Sequence, residues 1–312
     1  MIKLGLIAFG ILFTIVVSFI TPVSIQFQEY ILFSGILLLG IPHGAADQLV
    51  SQQTSLNKGR DFSKARFFSE YMGRLLLFGL LLYFFPLTAN ALFLLFSAYH
   101  FGETDINEYR SDRVTQKLMA LADGTLVIAV ILLTHLDEVK PIYLFSHAVD
   151  HSLINTEWFK NIQVILISVA GIAFCTLLIT HHLSVRTSQR FFVLYMMQLL
   201  ALLFIISQLP LLLAFAFYFV AWHSVLSIHH IITYLKEGCL FSTGSIIWQL
   251  VKNTLIVYTA ISFLAVLSYL LFQESDLSGF LFVALAMLTA PHLPVMQQMY
   301  MATSINKGVM PN

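Results

Sequence analysis

The chain has 312 residues, 58% of them hydrophobic and 10% charged, with a formal net charge of zero and a mean hydropathy of +0.85. A soluble domain carries about 25% charged residues, so this composition leaves too little polar surface to cover a soluble globule. The neutral balance gives no global field toward nucleic acid or an acidic partner, and no nucleic-acid partner is expected.

A membrane span needs roughly 20 apolar residues, which marks spans at about 3–20, 30–48, 71–89, 90–104, 118–135, 161–181, 189–208, 210–234, 248–272 and 279–299. The run Ile2 to Ile20 has no small-residue cleavage site before Thr21-Pro22, and further spans follow at once. It therefore reads as a first transmembrane helix rather than a signal peptide. The second span contains Pro42-His43-Gly44-Ala45-Ala46-Asp47, which sets a histidine and a carboxylate four residues apart in an apolar run. An ionisable group at membrane depth is costly and points to function. The fourth span is short, reads as broken or tilted, and carries Tyr99-His100-Phe101-Gly102 followed by Glu103 and Asp105. The fifth holds Asp123-Gly124, where the acid is either a polar contact between helices or a pocket residue. Pro141 to Ile154 reads as a surface helix in the membrane interface. The eighth span carries Ala221-Trp222-His223-Ser224 and then His229 and His230, and the tenth carries Ala290-Pro291-His292-Leu293. His135, His147, His151, His181 and His182 lie near membrane edges and read as solvent-facing, and Cys175 and Cys239 read as free buried thiols.

Loop lysines and arginines set the orientation. Lys58, Arg60, Lys64 and Arg66 follow the second span, Arg110, Arg113 and Lys117 the fourth, Arg186 and Arg190 the sixth, Lys236 the eighth and Lys307 the tenth. The opposite loops carry only Lys140 and Lys160 beside several acids. Both termini are expected in the cytoplasm and the chain in the inner (plasma) membrane. The fold expected is all-α: a polytopic transmembrane bundle of about ten helices, one integral-membrane domain over residues 1–312, with a histidine metal site in its interior.

On this topology His43, His100, His223 and His292 fall on four spans of one direction, each about 10 to 13 residues from the outer end, or roughly 15–20 Å deep at 1.5 Å per residue. Four imidazoles at one depth can meet inside the bundle. Imidazole without thiolate suits a non-haem metal that handles oxygen. A lone intramembrane histidine, by contrast, is commonly an interhelical hydrogen-bonding residue. Asp47, Glu103 and Asp105 are candidates to accept the other ring N–H of a ligating histidine, or simply solvated acids at helix ends. His230 lies nearly above His223 two turns on, about 10 Å along the axis, and reaches the same ion only through a bulge or kink. Aromatic residues, among them Phe96, Tyr99, Phe101, Phe219 and Trp222, flank the candidate ligands and either pack against lipid and helices or line a tunnel for a long apolar polyene.

Pro-His-Gly-Ala-x-Asp at 42–47, Tyr-His-Phe-Gly-x-x-Asp at 99–105, Tyr-Phe-x-x-Trp-His-Ser at 218–224 and Pro-His-Leu-x-Val-Met at 291–296 together resemble the Brp/Blh-type beta-carotene 15,15'-dioxygenase family. The resemblance runs from the second span to the tenth in the same order. It implies a multi-spanning non-haem iron enzyme using Fe(2+) and O2 to cleave beta-carotene at its central double bond. It also implies two retinal molecules as product, loaded onto a microbial rhodopsin, and entry of the substrate from membrane lipid. By motif, His43, His100 and His223 are the expected ligands. Family members commonly place another histidine four residues after the His-Ser histidine, and here that position is Ser227. The fourth ligand is then His292 by depth, or His230 (less directly His229) if the helix is irregular. Two other readings stay open at this point. A lipid desaturase would carry close His-x-x-His clusters, and a proton-relay transporter would show internal repeats with broken helices.

Overall fold

The computed structural model describes residues 1–20, 22–109, 112–139, 157–183, 189–238, 242–272 and 277–306. Every regular element among them is helical. In chain order these are α1 (Ile2–Ile20), α2 (Ile25–Gly35), the wide-turned π1 (Ile36–Gly40), α3 (Ile41–Gly44), α4 (Asp47–Asn57), α5 (Lys64–Phe84), α6 (Pro86–Asp105) and α7 (Arg113–Thr134). They are followed by α8 (Glu157–Leu183), α9 (Gln189–Gln208), α10 (Leu211–Phe215), π2 (Ala216–Ser224), α11 (Val225–Glu237), α12 (Thr243–Phe272) and α13 (Leu277–Asn306). Seven helical runs among the described residues are long and apolar enough to cross a membrane. The remaining expected spans lie on α6, α12 and α13.

The sequence explains where these helices begin. Ser24, Ser63 and Asp112 cap α2, α5 and α7 by accepting the backbone N–H groups of Phe27, Arg66, and Val114 with Thr115, groups the helix itself leaves unpaired. Hydrogen bonds from the Thr115 side chain and backbone hold the Asp112 carboxyl below the usual carboxylate range. Pro86 opens α6, where its missing N–H costs nothing. α6 is therefore a full helix of 20 residues, and the expected short, broken fourth span is corrected: the chain break falls at Phe85 rather than at 89–90.

Burial separates the helices into two layers. In the run Leu211–Glu237, 72% of the most apolar stretch is buried, against 11% in Ile2–Ile20 and 6% in Lys64–Phe84. The π2 rod is thus the axis of the bundle, and α1 and α5 present most of their surface outward, where apolar side chains suit lipid. Cys175 lies on such an outer face and is exposed, which corrects the expectation of a buried thiol. The tightest crossing joins α6 and α7. Gly102 faces the Ala120 carbonyl and Gly124 faces the Ala98 carbonyl, and at either glycine a Cβ would collide with that backbone. Such reciprocal small-residue contacts are the usual means of close approach where lipid removes the hydrophobic drive between helices. The Asp123 carboxylate, fully buried beside Gly124, accepts the Tyr195 hydroxyl of α9 and is a polar contact between helices.

Candidate metal centre

Two of the candidate histidines sit on irregular helix, and for π1 the cause is local. In π1 the Ile41 N–H reaches back five residues to the Ile36 carbonyl. Pro42 follows directly; it has no N–H, and its ring crowds the carbonyl four residues earlier. His43 thus sits on the first regular turn after a widened one. In π2 the Ser224 hydroxyl donates to the Phe219 carbonyl at 2.8 Å, pairing a carbonyl within the widened turns. His223 lies in that segment. His292 stands between Pro291 and Pro294 inside α13, and His100 lies on regular α6.

All four imidazoles are buried, with 0–6% of each residue exposed, so none faces lipid. They close into a ring of rings. Centroid distances are 5.5 Å from His43 to His223, 4.7 Å from His223 to His100, 4.8 Å from His100 to His292 and 5.1 Å from His292 to His43. Each neighbouring pair meets at 75–89°. Ligand nitrogens of His43, His100 and His223 all lie within 4.8 Å of one another. The Nε2 atoms of His100 and His292 approach to 3.2 Å.

This donor set fits a metal ion. Two nitrogens each about 2.1 Å from a common ion stand roughly 3.0–3.4 Å apart, which brackets the His100–His292 spacing. The Nδ1 atoms of His100 and His223 are buried without a hydrogen-bond partner, a costly arrangement in an apolar interior; the Leu39 and Gly40 backbone lies beside the His43 ring. Among the described residues these three histidines are the group with metal-binding geometry, and their donors are ring nitrogens only, with no thiolate.

The acids are placed differently from one another. Asp47 is 3% exposed, and its Oδ1 stands 2.7 Å from His292 Nδ1, so it pairs with a ring on another helix rather than with His43 on its own. It is the first residue of α4, just past the Ala45–Ala46 break from α3. Asp105 accepts Tyr218 Oη at 2.9 Å and Trp222 Nε1 at 2.8 Å. Glu103 accepts the Tyr99 hydroxyl at 3.2 Å and lines a cavity of about 40 Å³ with Tyr99, Arg113, Lys117 and Tyr300.

His230 does not join the four rings: its Nδ1 stands 3.4 Å from Tyr300 Oη. α11 is regular from Val225, so the widened turns end before the two-turn gap between His223 and His230 that they would have to shorten. His229 is exposed. His135 is buried, with Nδ1 2.7 Å from the Ile131 carbonyl and Nε2 2.6 Å from the Leu209 carbonyl, which corrects the solvent-facing expectation. His181 is half-buried, stacked on Phe192 and hydrogen-bonded to Tyr109, whereas His182 is exposed. His147, His151, Cys239 and the segment Pro141 to Ile154 lie outside the described residues. Of the aromatic candidates, Phe101 and Phe219 pack on His223 with centroids 4.7 and 6.0 Å away. Phe96 packs on Phe78, Tyr99 on Glu103, and Trp222 holds Asp105.

Ser227, the position where a further histidine was expected, places its hydroxyl 3.5 Å from His223 Nε2. Spacing did not point to Tyr218 as a partner of Asp105, because the two are 113 positions apart in the chain. A model of the beta-carotene 15,15'-dioxygenase family matches residues 34–300, a stretch that contains all four histidines. No curated protein and no solved structure matches the chain.

Proposed function

The chain belongs to the beta-carotene 15,15'-dioxygenase family, and from that premise we propose that it cleaves beta-carotene at the central double bond with O2 to give two molecules of retinal. One carbon–carbon double bond breaks, and each freed carbon takes one oxygen atom as an aldehyde. The atoms balance without any other oxidant or reductant. The observation that carries this reading is the closed ring of four buried imidazoles in a membrane-type bundle.

In this reading His43, His100 and His223 hold Fe(2+), and His292 is the fourth ligand. Bound ferrous iron supplies the O2 activation that protein side chains cannot. Imidazole donors would hold the ion without adding charge that the membrane interior would penalise. Asp47 orients the His292 ring through its Nδ1 and fixes which nitrogen faces inward. Phe101 and Phe219 wall the site with apolar surface against His223, which suits a hydrocarbon chain and excludes water. No general base is needed, because no proton is transferred. The carotenoid enters sideways from the bilayer of the inner membrane, the termini face the cytoplasm, and retinal leaving the site loads a microbial rhodopsin in that membrane.

The test is expression in cells that accumulate beta-carotene. Loss of orange colour with stoichiometric retinal is the expected result. Unchanged carotene, or wild-type retinal yield from His100→Ala, overturns the reading.

A further inference from the structure

The widened segment π2 sets where His223 points, and the bond from Ser224 to the Phe219 carbonyl pairs only one of its nine residues' carbonyls. A π turn carries one more residue than an α turn, so relaxation of a turn to α geometry would rotate everything after it by about 100°. His223 would then leave the ring of imidazoles. Something outside π2 has to hold its register.

We propose that Asp105 is a positioning residue for the metal centre, fixing π2 on α6 and through it the aim of His223. The inference rests on the proposed iron site. Asp105 lies on the helix that carries His100, and both of its carboxylate oxygens are used by π2: Oδ2 accepts the Tyr218 hydroxyl and Oδ1 accepts the Trp222 indole N–H. Trp222 is the residue immediately before His223. Holding its ring therefore fixes the rotation of the next side chain about the helix axis.

The surroundings point the same way. Phe101 lies four residues before Asp105, on the same face of α6, and packs on Tyr218 at 5.0 Å and on His223 at 4.7 Å. Together Phe101 and Asp105 form an apolar and a polar contact with one stretch of π2. The end of α6 is itself secured, since Lys3 of α1 donates to the Asp105 carbonyl at 2.9 Å. Asp105 is 5% exposed. A carboxylate so buried is expensive unless its oxygens are bonded, and the bonds it makes join two ligand-bearing helices.

The test uses full-length protein purified in detergent, with iron content after dialysis against a chelator and the visible d–d spectrum of the Co(II)-loaded form as readouts beside retinal formation. Asp105→Asn is expected to retain iron about 10–100-fold less tightly and to shift the Co(II) bands. Tyr218→Phe and Trp222→Phe, which keep the aromatic volume, are expected to give smaller shifts of the same kind. The double variant should match Asp105→Asn rather than exceed it, because all three act through one contact. If Asp105→Asn does not fold, the two aromatic variants decide by the same readouts. Lower thermal stability with wild-type iron retention and wild-type Co(II) bands would mean a merely structural role and overturn the proposal. Wild-type protein that neither holds iron nor makes retinal would instead overturn the function on which it rests.

Discussion

The candidate metal centre has two halves that solve the same problem by different means. In one, His43 and His292 come from α3 and α13, and Asp47 touches a site ring directly through His292 Nδ1 at 2.7 Å. In the other, His100 and His223 come from α6 and π2, and Asp105 touches neither ring but grips the residues around His223. A carboxylate on an imidazole fixes the tautomer and tilt of that ring. A carboxylate on the neighbours of an imidazole fixes the helix that carries it. The difference follows from the backbone. Prolines bracket His292 and leave its helix few alternatives, whereas His223 sits within nine residues of wide turns that have a regular alternative close by.

The halves can be separated by experiment. The largest effect is expected from removing an imidazole in the second half: His223→Ala takes away a fully buried ring that touches two other site rings, and iron content and retinal formation should both fall to background. Iron retained at wild-type stoichiometry would show that the ring is not a ligand. Next comes Gly102→Ala. Its Cβ would meet the Ala120 carbonyl, and backbone cannot give way as a flexible side chain can. A cost of about 3 kcal/mol is expected, read as loss of folded protein or a lower thermal midpoint in detergent. Because α6 carries both His100 and Asp105, what folds should also lose iron. Asp47→Asn is milder, at about 10–100-fold in iron retention, since the amide keeps an acceptor for His292 but loses the charge. Equal loss of iron in Asp47→Asn and Asp47→Leu would mean that charge and not the hydrogen bond matters.

How much of this could be read from the chain depends on the range of the interaction. The four histidines were visible because each is an ionisable residue in an apolar run, and their common depth followed from the alternation of basic loops. Depth favoured His292 over His230, but the sequence left the choice open. It turns on where a helix widens, and that is decided by what the helix packs against. His43 shows the partial exception, because Pro42 announces an irregularity without saying that it falls upstream. His135 misled for a simple reason: a histidine at a helix end reads as solvated, yet its ring meets the Leu209 carbonyl 74 positions away. Asp47 was recognised as a candidate partner of an imidazole, but the sequence did not say of which one. The ring it meets is on α13, 245 positions away in the chain.

The smallest effect expected sharpens the contrast most. Gly44 follows His43 directly and is half-buried, yet a Cβ built there meets nothing within 4 Å. Gly102 follows His100 by two residues and has no room at all. Composition alone would treat the two glycines alike, since both sit beside a site histidine in a helix. Gly44→Ala should therefore leave stability unchanged or raise it by about 0.5–1 kcal/mol, the ordinary helical preference of alanine over glycine. Iron content should stay at the wild-type level. A bulkier residue asks a further question, because open space next to His43 at a half-buried glycine is where a chain molecule from the bilayer can approach. Gly44→Phe that keeps iron and the Co(II) spectrum but slows carotene cleavage would place the route of entry on the His43 half. Iron loss from Gly44→Ala itself would show that the space is needed by the backbone around His43, and the two halves would then be equally intolerant.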